Sequence, residues 1–481
     1  MKNSKLASLL SKLSLKEFKE FGKFVKSPYF NSNSNIISLY ELIAKAFPDF
    51  DSPKLVKENI YEHIYPGEKY NDSTVRGLLA AALKLAEEFL AVHRLRENEF
   101  AYKEFLMSEL CDRKIFDLFN IHLKKNRTEL ENLNTKHEDY FYLTYKMETL
   151  INSIDSKSYI PLTQKDVPGD INTKDTESLI NYFLISILKR YNYLLTKTGS
   201  LNVSLELNFM DEMITYLEKA NLREIPILNF HYNRAMLYKS NMEEKYFLEL
   251  RRIFFDKKNS LDESELYNLM GVLSNYCVRK NNITGEEAPV AQYEIYKYAI
   301  ENDILALNPT EPINPVLYSN IVAASLYLGK TDEAVEFIEK YKDRIAPERR
   351  ESAVNFNLAK VHFKNKNYNE ALSSLALVQN EDVFYKVAIK NLYAMIYYEM
   401  NLVEELILLL DSYKSFLQSN VVLGPRLKEN HNNFVSALTK LLKLKDFKDK
   451  PELEYLKHEI NLLPTTVSMD WLISKIDSLL K

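Results

Sequence analysis

Apolar residues return every three or four positions along almost the whole chain, the spacing of helices that bury one face. Ser14 and Glu17 form a capping box ahead of Leu15, Phe18, Phe21, Phe24 and Val25, and Ser27-Pro28 stops that helix. The pattern predicts further helices over 36–47 and 53–64. The clearest stripe runs through Val75, Leu78, Leu79, Ala82, Leu83, Ala86, Phe89 and Leu90, with Asp72 or Ser73 as its expected cap. No segment alternates with the period of two that a half-buried strand needs. The predicted class is all-α.

Breaks in the periodicity divide the chain. Residues 1–100 read as an N-terminal helical domain and 101–154 as connecting helices. The stretch 155–176 loses its period and holds Pro161, Pro168 and Gly169, so it reads as a surface loop or linker. From 177 to 481 helices resume, mostly 12 to 20 residues long, with breaks near 198–200, 223–226, 257–262, 281–289, 308–315 and 419–425.

Three stretches in this last part share one shape. They begin at Ile321, Leu358 and Leu392 and end at Ala334, Ala371 and Glu405. Each is an apolar helix end, a short polar turn and a second amphipathic helix, at spacings of 37 (334 to 371) and 34 (371 to 405) residues. Over about 312–417 the chain resembles a tetratricopeptide repeat protein. Ala334 and Ala371 match the small residue opening the second helix, and Gly329 matches the turn glycine. Glu405, Lys366 and Met400 depart from that pattern. The resemblance implies an α-α superhelix over 177–481, whose first helices line a concave groove.

Composition narrows the function classes. With 63 Lys and Arg against 67 Asp and Glu, the net charge of -4 offers no general basic excess for polyanions, so nucleic acid is not the expected partner. Cys111 and Cys277 form no paired motif, which points to a reducing, cytoplasmic setting. No apolar run reaches the roughly 18 residues of a membrane span, and no membrane association is expected. Gly329-Lys330-Thr331 lacks the earlier glycine of a phosphate-binding loop, since Ala324 stands there; Thr331 reads as a helix cap. No two histidines lie four residues apart, and no nucleophile elbow is present. The expectation is a non-enzyme with no cofactor or metal.

The candidate site comes from the repeat. Asn320, Asn357 and Asn391 each fall 14 residues before the small-residue position. An asparagine side chain has an acceptor and two donors, which suits the backbone of an extended peptide. Lys360 and Lys364 share the Asn357 face, Lys390 adjoins Asn391, and Tyr327, Tyr397 and Tyr398 lie about two turns along. Such a groove fits a protein or peptide partner with an acidic or carboxylate-ending segment. The expected function is a peptide-binding scaffold or adaptor. The alternative is a transcriptional regulator, because 70–90 resembles the recognition helix of a winged-helix domain, led by Asp72, Ser73, Thr74 and Arg76.

Overall fold

Low glycine and proline content leaves few places where a helix must end, and the chain folds accordingly. The computed structural model describes residues 4–133, 136–157, 174–198, 207–220, 224–256, 261–284, 287–379, 382–447, 449–463 and 466–481. Every regular element among them is helical. The chain divides into two compact units, Met1–Glu131 with Lys146–Gly169, and Asn132–Tyr145 with Asp170–Lys481.

The first unit begins with α1 (Lys5–Leu10), α2 (Leu15–Val25), α3 (Ser34–Ala44), α4 (Lys57–Ile64) and α5 (Asp72–Glu97). The Ser14 capping box forms as expected: the Ser14 hydroxyl accepts from the Glu17 amide at 3.2 Å, and the Glu17 carboxylate accepts from the Ser14 amide at 2.7 Å. Phe18, Phe21, Phe24, Leu39, Ile60, Leu78 and Phe89 make the core. Gly22 lets α2 approach the Tyr40 ring, where a Cβ would have no room.

Two local expectations are corrected here. Residues 53–64 do not form one helix, because Val56 is extended (ψ 144°) and separates a 3-10 turn, Pro53–Leu55, from α4. The cap of α5 is Asn71, whose side chain accepts from the Ser73 and Thr74 amides. Asp72 is instead the first helical residue and pairs with Lys57 and Arg76, each at 2.8 Å. Two of the four residues leading α5, Asp72 and Arg76, are thus paired with each other, and no strand stands among the described residues. Two more helices, α6 (Glu99–Asp112) and α7 (Phe116–Glu131), pack on each other.

Most of the expected loop, 158–173, lies outside the described residues. Its flanks are helical, in α8 (Glu138–Lys157) and α9 (Lys174–Thr198). The second unit continues through α10 (Met210–Leu217), α11 (Pro226–Lys239), α12 (Glu244–Phe255), α13 (Glu263–Thr284) and α14 (Glu287–Glu301). Then come α15 (Pro315–Tyr327), α16 (Thr331–Tyr341), α17 (Pro347–Lys364), α18 (Tyr368–Ala376), α19 (Val383–Glu399) and α20 (Val403–Ser419). The chain closes with α21 (Pro425–Phe447), α22 (Lys450–Leu462) and α23 (Met469–Leu480). Neighbours pack as hairpins, α11 with α12, α13 with α14, α15 with α16, α17 with α18 and α19 with α20. The first helices also touch directly, α15 with α17 and α17 with α19.

The turns fix the register of these hairpins. Gly329, Lys366 and Asn401 take left-handed φ values of 74°, 63° and 58°, each two residues before the second helix starts. Such a residue swings the next amide back onto a last-turn carbonyl, as Lys330 donates to Ser325, Asn367 to His362 and Leu402 to Tyr397 at 2.9 Å each, and so turns the chain into the next helix. Thr331 is therefore the first residue of α16, not its cap, which is Lys330. In the third hairpin the left-handed residue is Asn401 rather than Met400. The position of Ala334 and Ala371 then falls on Leu406, fully buried, and Glu405 drops out of the comparison. Counting 14 residues back gives Leu392, not Asn391, so the asparagine recurrence does not extend to α19.

Candidate functional site

The slipped register explains where the expected site residues go. Asn357 is fully buried, and its amide donates to the Ala353 carbonyl at 2.8 Å. Asn233 holds the same position relative to the α11–α12 turn. It is also buried, and it donates to the Asn229 carbonyl at 2.8 Å. At these two places the asparagine serves packing and is closed to a ligand. The expectation that Asn357 faces an open groove is corrected.

Lys360 is half-buried along its stem, and its ammonium is enclosed. It donates to the Ser319 hydroxyl at 2.6 Å and the Ser319 carbonyl at 3.3 Å, and sits 4.6 Å from the Phe356 ring centre. Loss of water pushes its pKa down to about 7. It ties α17 to α15 and is not a free cation. Lys364 is exposed at the end of α17. Lys390 turns to the Ser412 hydroxyl at 3.0 Å, and Asn391 donates to the Ser468 hydroxyl at 2.9 Å. Tyr398 is buried beneath Lys445, with its pKa pushed up to about 12, while the Tyr397 ring lies tilted against that of Tyr393. Tyr327 is exposed at the end of α15. Of these eight residues Asn357 and Tyr398 are buried, and Lys360, Lys390 and Asn391 are engaged by serines of the chain itself.

Asn320 is the exception. It is half-buried on α15 and lines a cavity of about 270 Å³ bounded by α9, α11, α13, α14 and α15. Across from it, α13 contributes Asn268, Gly271 and Asn275. Three- and four-residue steps put them on one face of the helix. A Cβ added to Gly271 would meet nothing within 4 Å, so the missing side chain leaves open space between two asparagines. Arg234 and Tyr238, one turn apart on α11, complete another wall, and Tyr267 lines the same cavity. Tyr296 is buried at its base, with its hydroxyl against Ser274, whose oxygen also accepts from Gln292 at 3.1 Å.

Behind this lining lies a buried polar layer on the same helices. Lys189 on α9 reaches Glu138 at 3.1 Å and Glu265 at 3.4 Å, and His231 stands 3.4 Å from Glu265. Burial opposes the Glu265 carboxylate, but His231 and the Lys189 ammonium outweigh it and hold the group well below the usual carboxylate range. Burial likewise pushes His231 down, so its imidazole is neutral and Lys189 balances the Glu265 charge. This layer fixes α8, α9, α11 and α13 and with them the walls of the cavity.

The Gly329 turn leads to Lys330, whose ammonium donates to the Tyr293 hydroxyl at 2.8 Å and the Glu333 carboxylate at 2.9 Å. Among the described residues no group of three His, Cys, Asp or Glu side chains is placed to hold a metal ion. No described helix is long and apolar enough to cross a membrane. No protein-family model matches the chain, and no curated protein does.

Proposed function

We propose that the second unit is a non-catalytic receptor for an extended peptide segment of a partner, and that its hairpins stack as a tetratricopeptide-like superhelix around the Asn268–Asn275 cleft. The observation that carries this is the row Asn268, Gly271, Asn275 facing Asn320. Seven residues of helix rise about 10.5 Å, and an extended chain advances about 3.4 Å per residue. The two asparagines therefore meet peptide groups three residues apart, and each can both donate and accept. Gly271 leaves room for the backbone between them. A preformed cleft of this kind loses little ordering entropy when it binds. Both cysteines are buried thiols outside any disulfide, which fits a reducing, cytoplasmic setting.

The test uses the full chain and a mixture of synthetic random heptapeptides with free carboxy termini. Peptides retained by the protein are sequenced by mass spectrometry and remade singly. Their affinity is then measured by calorimetry against the natural chain and Gly271→Leu. Leucine fills the open space, and leucine in a helix is more favourable than glycine by up to about 1 kcal/mol, so the variant stays folded. Binding is expected to weaken at least about tenfold, roughly 1.4 kcal/mol, with no fall in melting temperature. Failure to retain any peptide, or equal affinity for Gly271→Leu, overturns the proposal.

A further inference from the structure

Arg234 lies one turn beyond His231 on α11 and lines the cleft. Its Nε is buried with no hydrogen-bond partner, and its Nη2 makes only a 3.5 Å contact to the Thr196 hydroxyl. Among the described residues no carboxylate pairs with it. Glu265 on α13, the acid whose field reaches it, is already engaged by Lys189 and His231. A guanidinium cannot shed its charge as an enclosed lysine does, so burial leaves it short of a counter-charge.

Next to it, Tyr238 also lines the cleft and carries the Arg279 guanidinium over its ring, 5.8 Å from the centre. Arg279 too has no carboxylate partner among the described residues. Burial, and after it the like charge of Arg426 on α21, push its pKa down. One guanidinium thus lines the cleft and a second stands over its Tyr238 wall, in a chain whose net charge is -4. Several other arginines find acids, as Arg251 does with Glu294 and Arg252 with Glu249, both at 2.8 Å.

We propose that the cleft anchors its peptide through a carboxylate held by Arg234, with Arg279 on the far side of Tyr238. This rests on the peptide reading above. A peptide supplies a carboxylate either at its C-terminus or on an Asp or Glu side chain, and the planar fork of arginine matches both. The anion lies at the arginine wall, while the Asn268–Asn275 row holds the backbone leading to it. This places the acidic group at Arg234, not at Lys360 and Lys364.

The experiment takes a heptapeptide retained in the selection above and remakes it in three forms: unchanged, with an amidated C-terminus, and with each Asp or Glu replaced by Asn or Gln. Each is titrated by calorimetry into the natural chain, Arg234→Gln and Arg279→Gln. One of the two altered peptides is expected to bind the natural chain at least tenfold more weakly, and that one identifies the source of the carboxylate. On Arg234→Gln the same alteration is expected to cost little, because the partner charge is gone. Should Arg234→Gln fail to fold, Arg279→Gln serves, with a smaller loss of the same kind. If both altered peptides bind the natural chain as tightly as the original, the carboxylate proposal falls. The peptide reading then still stands on the Gly271→Leu result. If a phosphorylated version binds far better than the carboxylate form, the anion is misassigned and this proposal is overturned as well.

Discussion

At the scale of single residues, the chain keeps polar groups in places where water is excluded and no opposite charge follows them in. Lys360 is the clearest. Its only polar contacts among the described residues are the Ser319 hydroxyl and carbonyl, and its pKa falls to about 7. The unfolded lysine keeps its proton to about pH 10.5. Between pH 7 and 10.5 the unfolded state thus binds more protons, and stability rises with pH across that window. Lys360→Met keeps the stem and removes the amine. It is expected to be more stable than the natural chain at pH 7, by a margin that shrinks steadily as pH rises towards 10. Urea unfolding at pH 6.5, 8 and 9.5 measures it, and parallel pH profiles for the two proteins would refute it. Arg234 is the contrasting case, a half-buried cation that cannot neutralise and has no carboxylate partner among the described residues.

At the scale of the element, the turns decide what the sequence could disclose. Helix existence was legible throughout, because each apolar face repeats with the helical period and most breaks carry proline or polar runs. Register in the hairpins was only partly legible. A left-handed residue marks each turn, but only the first is glycine; Lys366 and Asn401 give no such sign. One missed residue in the third unit rotates every later position by about 100°, since a helix has 3.6 residues per turn. That slip is why Asn391 seemed to repeat Asn320 and does not. The cleft had a signal in the sequence that the repeat argument passed over, a glycine between two asparagines at positions 268, 271 and 275 in a chain with 9 glycines. The arginines beside it had none, because Arg234 and Arg279, on α11 and α13, come to either end of Tyr238 only through packing. The turns also yield a prediction. A side chain in the left-handed region costs about 1–2 kcal/mol, offset in part by the flexibility that glycine adds to the unfolded chain. Lys366→Gly is expected to gain about 0.5–1 kcal/mol, and Gly329→Ala to lose about 1 kcal/mol. Opposite shifts in the melting temperature of the two variants support this assignment of the turns; shifts of the same sign contradict it.

At the scale of the whole molecule, response to acid is set by where the histidines lie. Among the described residues the two buried ones, His231 and His431, both belong to the second unit. Neither was marked by a motif; what encloses them is the meeting of helices distant in sequence. His431 joins α21 to α20, its Nδ1 2.6 Å from the Tyr413 hydroxyl, which also donates to the Val387 carbonyl at 2.9 Å. Burial lowers its pKa to about 4. An unfolded histidine binds its proton near pH 6.5. Between about pH 6.5 and 4 the unfolded state therefore holds the extra proton, and stability is lost as pH falls through that window. At pH 5 the loss from His431 alone comes to about 2 kcal/mol relative to pH 7. His231 acts in the same direction. The Glu265 carboxylate, held down towards about 2, adds its own loss only below the ordinary carboxylate range, so the two histidines govern mild acid. His431→Gln is expected to be less stable than the natural chain at pH 7.5, because it disturbs the bond to Tyr413. It should nonetheless lose less between pH 7.5 and 5. Denaturant unfolding at those two pH values, followed through the near-ultraviolet signal of Trp471, which lies 6.4 Å from Phe434 on α21, reads that difference where it arises. An equal loss for both proteins would mean that His431 is already charged when folded, and that the α20–α21 packing does not exclude water as its geometry requires.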